Sequence, residues 1–266
     1  MLRDITLGQY YPGNSLIHKL DARLKIIVAL LFIVELFIVD NFYGFAFCAV
    51  ALGIVVAVSK VPVSFIFRGL KPILIILLFT FALNIFLVKG RVLWQLGGLT
   101  ITYEGLNTAI FMGIRLILLI AGTSLLTLCT KPLALTDGME QLLYPLSKIG
   151  VPTHEIAMMM TIALRFIPTL LEETDKIMKA QQARGADFES GNIFHRIKNL
   201  IPIIVPLFVS AFRIAMDLAM AMEARCYRGG KGRTKMNEMR YHGRDAVGYL
   251  LAALFLAGVI ISAKLW

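Results

Sequence analysis

Long apolar runs, each almost free of charge, recur along this chain at residues 26–39, 42–58, 72–88, 109–129 and 246–263. A helix needs roughly 20 apolar residues to cross about 30 Å of hydrocarbon, so each run predicts a membrane span. The first is short and carries Glu35, and extending it to Phe42 brings it near the required length. Between residues 130 and 244 the pattern changes. Apolar positions there recur at helical spacing with charged positions between them, which predicts long amphipathic helices over about 133–149, 156–182 and 193–227. Gly150 and Pro152 end the first of these, and Thr153 is placed to cap the second. In the second, Ile167, Leu170, Leu171, Thr174, Ile177 and Met178 share one face, while Glu172 with Lys176 and Asp175 with Lys179 are spaced to pair on the other. In the third, Pro202, Pro206, Arg213 and Asp217 make 200–221 a poor membrane span. The expected fold is all-α and polytopic: a membrane domain of about four spans over 1–129, a helical domain outside the bilayer over 130–244, and a last span within 245–266.

Composition supports the membrane reading. Of 266 residues, 58% are apolar, and mean hydropathy is +0.76, above what a soluble domain carries. Lys and Arg exceed Asp and Glu by 27 to 17, a formal charge of +10. On a soluble protein that excess would raise nucleic acid as a partner; here it follows the retention of basic residues on the cytoplasmic side of spans, and no nucleic-acid partner is expected. Arg3, Lys19, Arg23 and Lys25 precede the first run, and Lys60, Arg68 and Lys71 lie between the second and third. The first and second are joined without a basic residue, and the third and fourth with only Lys89 and Arg91. The count puts the N-terminus and the whole of 130–244 in the cytoplasm, and the C-terminus outside. Adding 200–221 as a span would move the last loops outside, against that count. The first fifteen residues lack the features of a removed signal peptide. Cys48, Cys129 and Cys226 are far apart and read as free thiols.

Small residues at four-residue spacing let membrane helices approach closely. Ala49, Gly53 and Ala57 show this pattern, as do Gly248 with Ala252, Ala253 with Ala257 and Gly258 with Ser262; they serve bundle packing or a partner face. Charges inside apolar runs need partners. Arg115 with Glu35 is one candidate pair. Arg165 either snorkels to the membrane surface or pairs with Glu172 or Glu173.

The two long helices of 130–244 end alike, in Gln182-Ala183-Arg184-Gly185 and Glu223-Ala224-Arg225-Cys226. An arginine at a helix C-terminus complements the helix dipole. Its five planar donors also suit an acidic groove on another protein, and the repetition of the ending favours that second role. Gly185 suits a left-handed cap, with Gly229 a little beyond the other end.

On these endings, with the stretch Ala163-Leu164-Arg165-Phe166-Ile167-Pro168 and the run Arg225-Cys226-Tyr227-Arg228-Gly229, the sequence resembles the transmembrane T component, EcfT, of energy-coupling factor vitamin importers, over nearly its whole length. The resemblance implies a non-catalytic scaffold that joins two cytoplasmic ATP-binding cassette ATPases, a heterodimer, to exchangeable membrane-embedded S components, without a cofactor of its own. The domain over 130–244 would then be the coupling domain. Ala183, Arg184, Gly185, Ala224, Arg225 and Cys226 would form the ATPase-coupling ends, supported by Arg165, Pro168, Glu223, Arg228 and Gly229. Met158, Met159, Met160, Met216 and Met220 would offer the S component a deformable apolar face. Cys226 departs from the glycine of the family pattern, which leaves open the geometry of that helix end.

Enzymatic constellations are missing. Thr153-His154-Glu155 starts like a zinc-protease helix, but Met158 stands where the second histidine belongs. Gly229-Gly230-Lys231-Gly232 lacks the earlier glycine and the Ser/Thr of a phosphate-binding loop, so ATP hydrolysis falls to a partner. The alternative is a self-contained secondary transporter, which calls for inverted repeats and broken helices, and no repeat is visible. An enzyme acting on membrane lipids would need clustered acidic residues or histidines. Lys231, Arg233, Lys235 and Arg240 suit anionic lipid head groups instead.

Overall fold

A backbone that enters hydrocarbon must satisfy its own hydrogen bonds, and the computed structural model is accordingly almost wholly helical. It describes residues 10–96, 99–186, 188, 193–229, 239 and 241–265. Lys231, Arg233, Lys235 and Arg240, assigned above to lipid, lie outside the described residues. The helices are α1 (Ala22–Ile38), α2 (Phe42–Ser59), α3 (Val63–Leu70), α4 (Leu74–Leu87), α5 (Tyr103–Cys129), α6 (Pro132–Ser147), α7 (Thr153–Ala183), α8 (Ile193–Ala224) and α9 (Gly243–Leu265). The chain divides into a membrane unit, 8–142 with 239–266, and a second unit, 143–238; the division falls inside α6.

In the membrane unit α5 is the central helix and packs on α1, α2, α3 and α4, while α9 packs on α1 and α2. One apolar core gathers Leu36, Val39, Phe45, Cys48, Leu118 and Val259. A second gathers Val61, Ile66, Ala121, Leu125, Leu128 and Cys129. Close approach comes from glycines: a Cβ on Gly248 would lie 2.5 Å from Leu24 Cδ2, and one on Gly122 would lie 2.7 Å from Phe32 Cε1. The small-residue reading therefore holds for Gly248. On α2, Ala49, Gly53 and Ala57 are all exposed and a Cβ on Gly53 would meet nothing, so that stripe packs on no described helix and keeps only the partner-face reading.

Several element boundaries differ from expectation. The third run begins not at Pro72 but at Val63, because α3, a 3-10 turn at Lys71–Ile73 and α4 form one helical stretch, Val63–Leu87. Proline costs little there, since the turn absorbs its missing N–H. Helix α5 starts at Tyr103, capped by Thr102, whose hydroxyl accepts from Gly105 N (3.1 Å) and donates to the Val88 carbonyl (2.7 Å). Between α4 and α5 lies an unexpected antiparallel hairpin, β1 (Val92–Leu96) with β2 (Leu99–Thr102). Pro152, not Thr153, is the N-cap of α7.

The intramembrane charges also pair differently. Arg115 Nη2 donates to the Val39 carbonyl at 2.8 Å and to Asp40 Oδ1 at 2.9 Å, and not to Glu35. Asp40 lies just past the end of α1 with its carboxylate exposed, whereas Glu35 is 1% exposed and its Oε2 has no hydrogen-bond partner among the described residues. Arg165 is exposed, without an ion pair among the described residues; nearby, Lys176 pairs with Glu173 at 3.5 Å, in place of Glu172.

In the second unit α7 packs along α8, and Gln181 Nε2 donates to the Pro202 carbonyl at 3.4 Å. Both helices are long and apolar enough to cross a membrane, as are α2, the stretch Val63–Leu87, α5 and α9. Pro202 and Pro206, read above as marks against a span, sit inside an unbroken helix. Little of this pair is buried; Phe208, Phe212, Met216 and Met220 stand exposed along α8.

Candidate functional site

A helix ends with unpaired carbonyls, and a left-handed residue just past the cap folds the chain back to satisfy them. At the end of α7, Gly185 has φ +87°. Its N–H bonds the Gln182 carbonyl at 2.9 Å, and the Ala186 N–H bonds the Gln181 carbonyl at 3.0 Å. At the end of α8 the same two bonds recur one for one: Cys226 N–H to Glu223 O at 2.8 Å, and Tyr227 N–H to Met222 O at 3.0 Å. Cys226 has φ +55°, so it occupies the glycine position in the glycine conformation. This resolves the geometry that its side chain left open.

The closure holds Arg184 and Arg225 at equivalent cap positions. Both are exposed, as are Ala183, Gly185, Ala224 and Cys226, and neither guanidinium has a hydrogen bond or ion pair among the described residues. The supporting residues Pro168, Glu223 and Arg228 are exposed too, and Gly229 has φ +83°. Of the methionines, Met159, Met160, Met216 and Met220 are exposed and Met158 is half-buried. Phe208 and Phe212 extend the Met216 and Met220 surface, their ring centroids 4.7 Å apart.

A third helix end has the same closure. Gly150, at φ +93°, donates to Ser147 O (3.2 Å), and Val151 N–H bonds Leu146 O (3.3 Å) at the end of α6. The residue just before this glycine, where the other two ends carry arginine before the closing residue, is Ile149, 83% exposed. Sequence reading placed Gly150 there but did not see that it repeats the geometry of the other two ends. What sets α7 and α8 apart is therefore the arginine, not the turn. Among the described residues no three His, Cys, Asp or Glu side chains gather as metal ligands.

Over residues 13–236 the chain matches the family model described as cobalt transport protein, CbiQ. It is 57% identical over 265 residues to the energy-coupling factor transporter transmembrane protein EcfT of Thermosediminibacter oceani, covering all of both chains. It is 58% identical over 268 residues to that of Clostridium kluyveri, covering 100% of this chain and 99% of the relative. To that of Bacillus subtilis it is 48% identical over 261 residues, covering 98% of each. With apolar helices throughout, paired arginine-capped ends and full-length relatives at this identity, the chain is a polytopic membrane protein of the EcfT family of energy-coupling factor transporter transmembrane proteins.

Proposed function

We propose that this chain is the scaffold and coupling subunit of an energy-coupling factor importer. It links two cytoplasmic ATPase subunits, through Arg184 and Arg225, to a membrane-embedded substrate-binding S component that delivers a vitamin or related micronutrient. The observation that carries the reading is the pair of matched helix ends, each presenting an unpaired exposed arginine on the same rigid turn. A fixed backbone lets the guanidinium enter an acidic groove with little loss of freedom. ATP-driven closure of the ATPases then moves α7 and α8 as two arms, and the exposed Met and Phe face carries that motion to the S component. Because methionine adapts its shape, one face serves several S components.

The orientation that fits is N-terminus and arginine ends in the cytoplasm, C-terminus outside. Lys25 Nζ donates to the Cys129 carbonyl at 3.1 Å, and Asp21 N–H bonds Asp245 Oδ1 at 2.9 Å. The start of α1, the end of α5 and the start of α9 thus share one side. An even number of crossings follows for the chain between α5 and α9, and with Arg184 and Arg225 both in the cytoplasm neither α7 nor α8 makes a crossing.

The test is ATPase co-purification and ATP-driven uptake for Arg184→Glu, Arg225→Glu and the double variant, with Ile149→Glu as a control that places the same charge on the same turn of α6. The double variant is expected to lose the ATPases while staying inserted, and Ile149→Glu to keep them. Equal losses from Ile149→Glu would reduce the arginines to helix-end cations.

A further inference from the structure

The starts of α1 and α9 are joined by a buried charged cluster that the coupling role has not used. Asp245, 2% exposed, lies in the first turn of α9 and accepts two backbone N–H groups, His242 on Oδ2 at 2.8 Å and Asp21 on Oδ1 at 2.9 Å. One carboxylate thereby caps two helices. Asp21 accepts the Arg23 backbone N–H at 2.9 Å, its Nε at 3.1 Å and its Nη2 at 2.7 Å. Arg23 Nη2 also donates to the Met239 carbonyl at 3.2 Å, and the guanidinium lies 3.7 Å from the centroid of the Tyr241 ring. Burial pushes the Asp21 carboxyl up, but the hydrogen bonds and charge of Arg23 bring it below the ordinary carboxylate value.

Buried ion pairs are a costly route to stability, since apolar residues of the same volume often serve as well or better. Their strength is in fixing one geometry, and the position of this cluster shows which. Residues 143–238 form the second unit, so Met239 is the first residue of the membrane unit as the chain returns to it. Its carbonyl is the one Arg23 holds. The outgoing connection, α6, leaves from the same place: a Cβ on Gly138 would meet Ile26 Cδ1 at 3.1 Å and Ala22 Cβ at 3.2 Å. Both connections of the coupling unit are thus fastened to the first turns of α1.

We propose that the Asp21–Arg23–Asp245 cluster is the fixed anchor of the coupling stroke, with Arg23 and Asp245 as positioning residues. By holding the return connection at the start of α1, against which α6 also packs, it makes motion delivered at the arginine ends turn α7 and α8 instead of pulling α9. The inference rests on the coupling role proposed above. It predicts that loosening the cluster leaves the ATPases bound and hydrolysing but wastes their work.

The experiment measures ATPase co-purification, ATP hydrolysis and uptake on the same reconstituted complexes, for Arg23→Gln, Arg23→Lys and Asp245→Asn. Uptake per ATP hydrolysed is expected to fall about tenfold for Arg23→Gln and Asp245→Asn, within the range that single residues on a coupled element produce. Arg23→Lys should recover part of it, since lysine keeps the charge but not the fork. Because a weakened junction can also misfold, Arg23→Cys with Tyr241→Cys, in a Cys226→Gly background, supplies a second arm: uncoupled as isolated, and recoupled once a short bismaleimide bridges the two thiols. Wild-type uptake per ATP in both Arg23→Gln and Asp245→Asn, or failure of the bridge to restore it in an intact complex, overturns the anchor. Failure of the coupling role itself looks different, because then the wild-type chain would hold no ATPases or would hold them regardless of charge reversal at Arg184 and Arg225.

Discussion

The ends of α7 and α8 share the two backbone hydrogen bonds that close their turns and differ in the residue that makes the first of them. Glycine at φ +87° costs nothing, whereas cysteine at φ +55° sits where an L side chain crowds the backbone, at about 1 kcal/mol. The turn at α8 forms anyway, because two carbonyls that would otherwise go unpaired, on Glu223 and Met222, are satisfied by it. The end of α6 makes the same turn with Ile149 just before its glycine. Across the three ends the turn is general and the glycine dispensable, and the arginine is the variable that separates two functional tips from a plain helix end.

The comparison breaks most severely if the arginine is displaced while the turn is kept. Exchanging Ala183 and Arg184 (Ala183→Arg with Arg184→Ala) moves the guanidinium about 100° round the helix and leaves both closing hydrogen bonds possible. If Arg184 is an anchor in a groove, the exchange should weaken ATPase binding by about 2 kcal/mol, roughly thirtyfold, measured by titrating the ATPase pair against the chain in nanodiscs. The same exchange at Ala224 and Arg225 should cost as much. Unchanged affinity for both exchanges would mean that charge alone matters at these ends.

A smaller effect comes from spoiling the turn under an intact arginine. Gly185→Val puts a β-branched residue at φ +87°, a strain of about 2 kcal/mol. Amide exchange at positions 185 and 186 should rise accordingly and ATPase binding weaken in step. The conservative pair is milder. Cys226→Gly removes about 1 kcal/mol of strain, partly offset by the freer unfolded chain, so exchange at 226 and 227 should slow by less than about tenfold. Gly185→Cys should do the reverse to α7, making the two ends alike.

The end of α7 could be read from the sequence because a closing turn is local: within six residues, a small residue, an arginine and a glycine state their own geometry, whereas Cys226 left the end of α8 open. The spans were readable for a similar reason, since a run of apolar residues needs no partner to announce itself. Long-range structure was not. Asp245 caps Asp21 across 224 residues of chain, and nothing at either position tells which backbone amide the carboxylate will find. Glu35 and Arg115 were rightly seen as charges needing an account, but complementarity of sign suggested each other, whereas the fold gave Arg115 the solvent-side Asp40. The hairpin over 92–102 did carry a signal. In the sequence, Val-Leu-Trp-Gln-Leu and Leu-Thr-Ile-Thr are strand-like runs separated by a Gly-Gly pair of the kind that favours hairpin turns, a signal weaker than the helical pattern around it.

The gentlest way to sharpen the comparison uses the cysteine as a reporter and changes nothing in the chain. Cys48 and Cys129 are buried and Cys226 is exposed, so brief treatment of the isolated protein with a water-soluble maleimide should modify position 226 and spare the other two. Cys226 neighbours Arg225, so an ATPase seated on that tip should cover the thiol. Labelling of the assembled complex is then expected to slow several-fold, and to recover when Arg225→Glu releases the subunit. Charge reversal at Arg184 alone should leave the thiol covered if each tip holds its own ATPase, and expose it if the two ATPases dock only as a pair. Equal labelling with and without the ATPases would place their contact away from the end of α8, and the likeness of the two turns would then be one of helix chemistry alone.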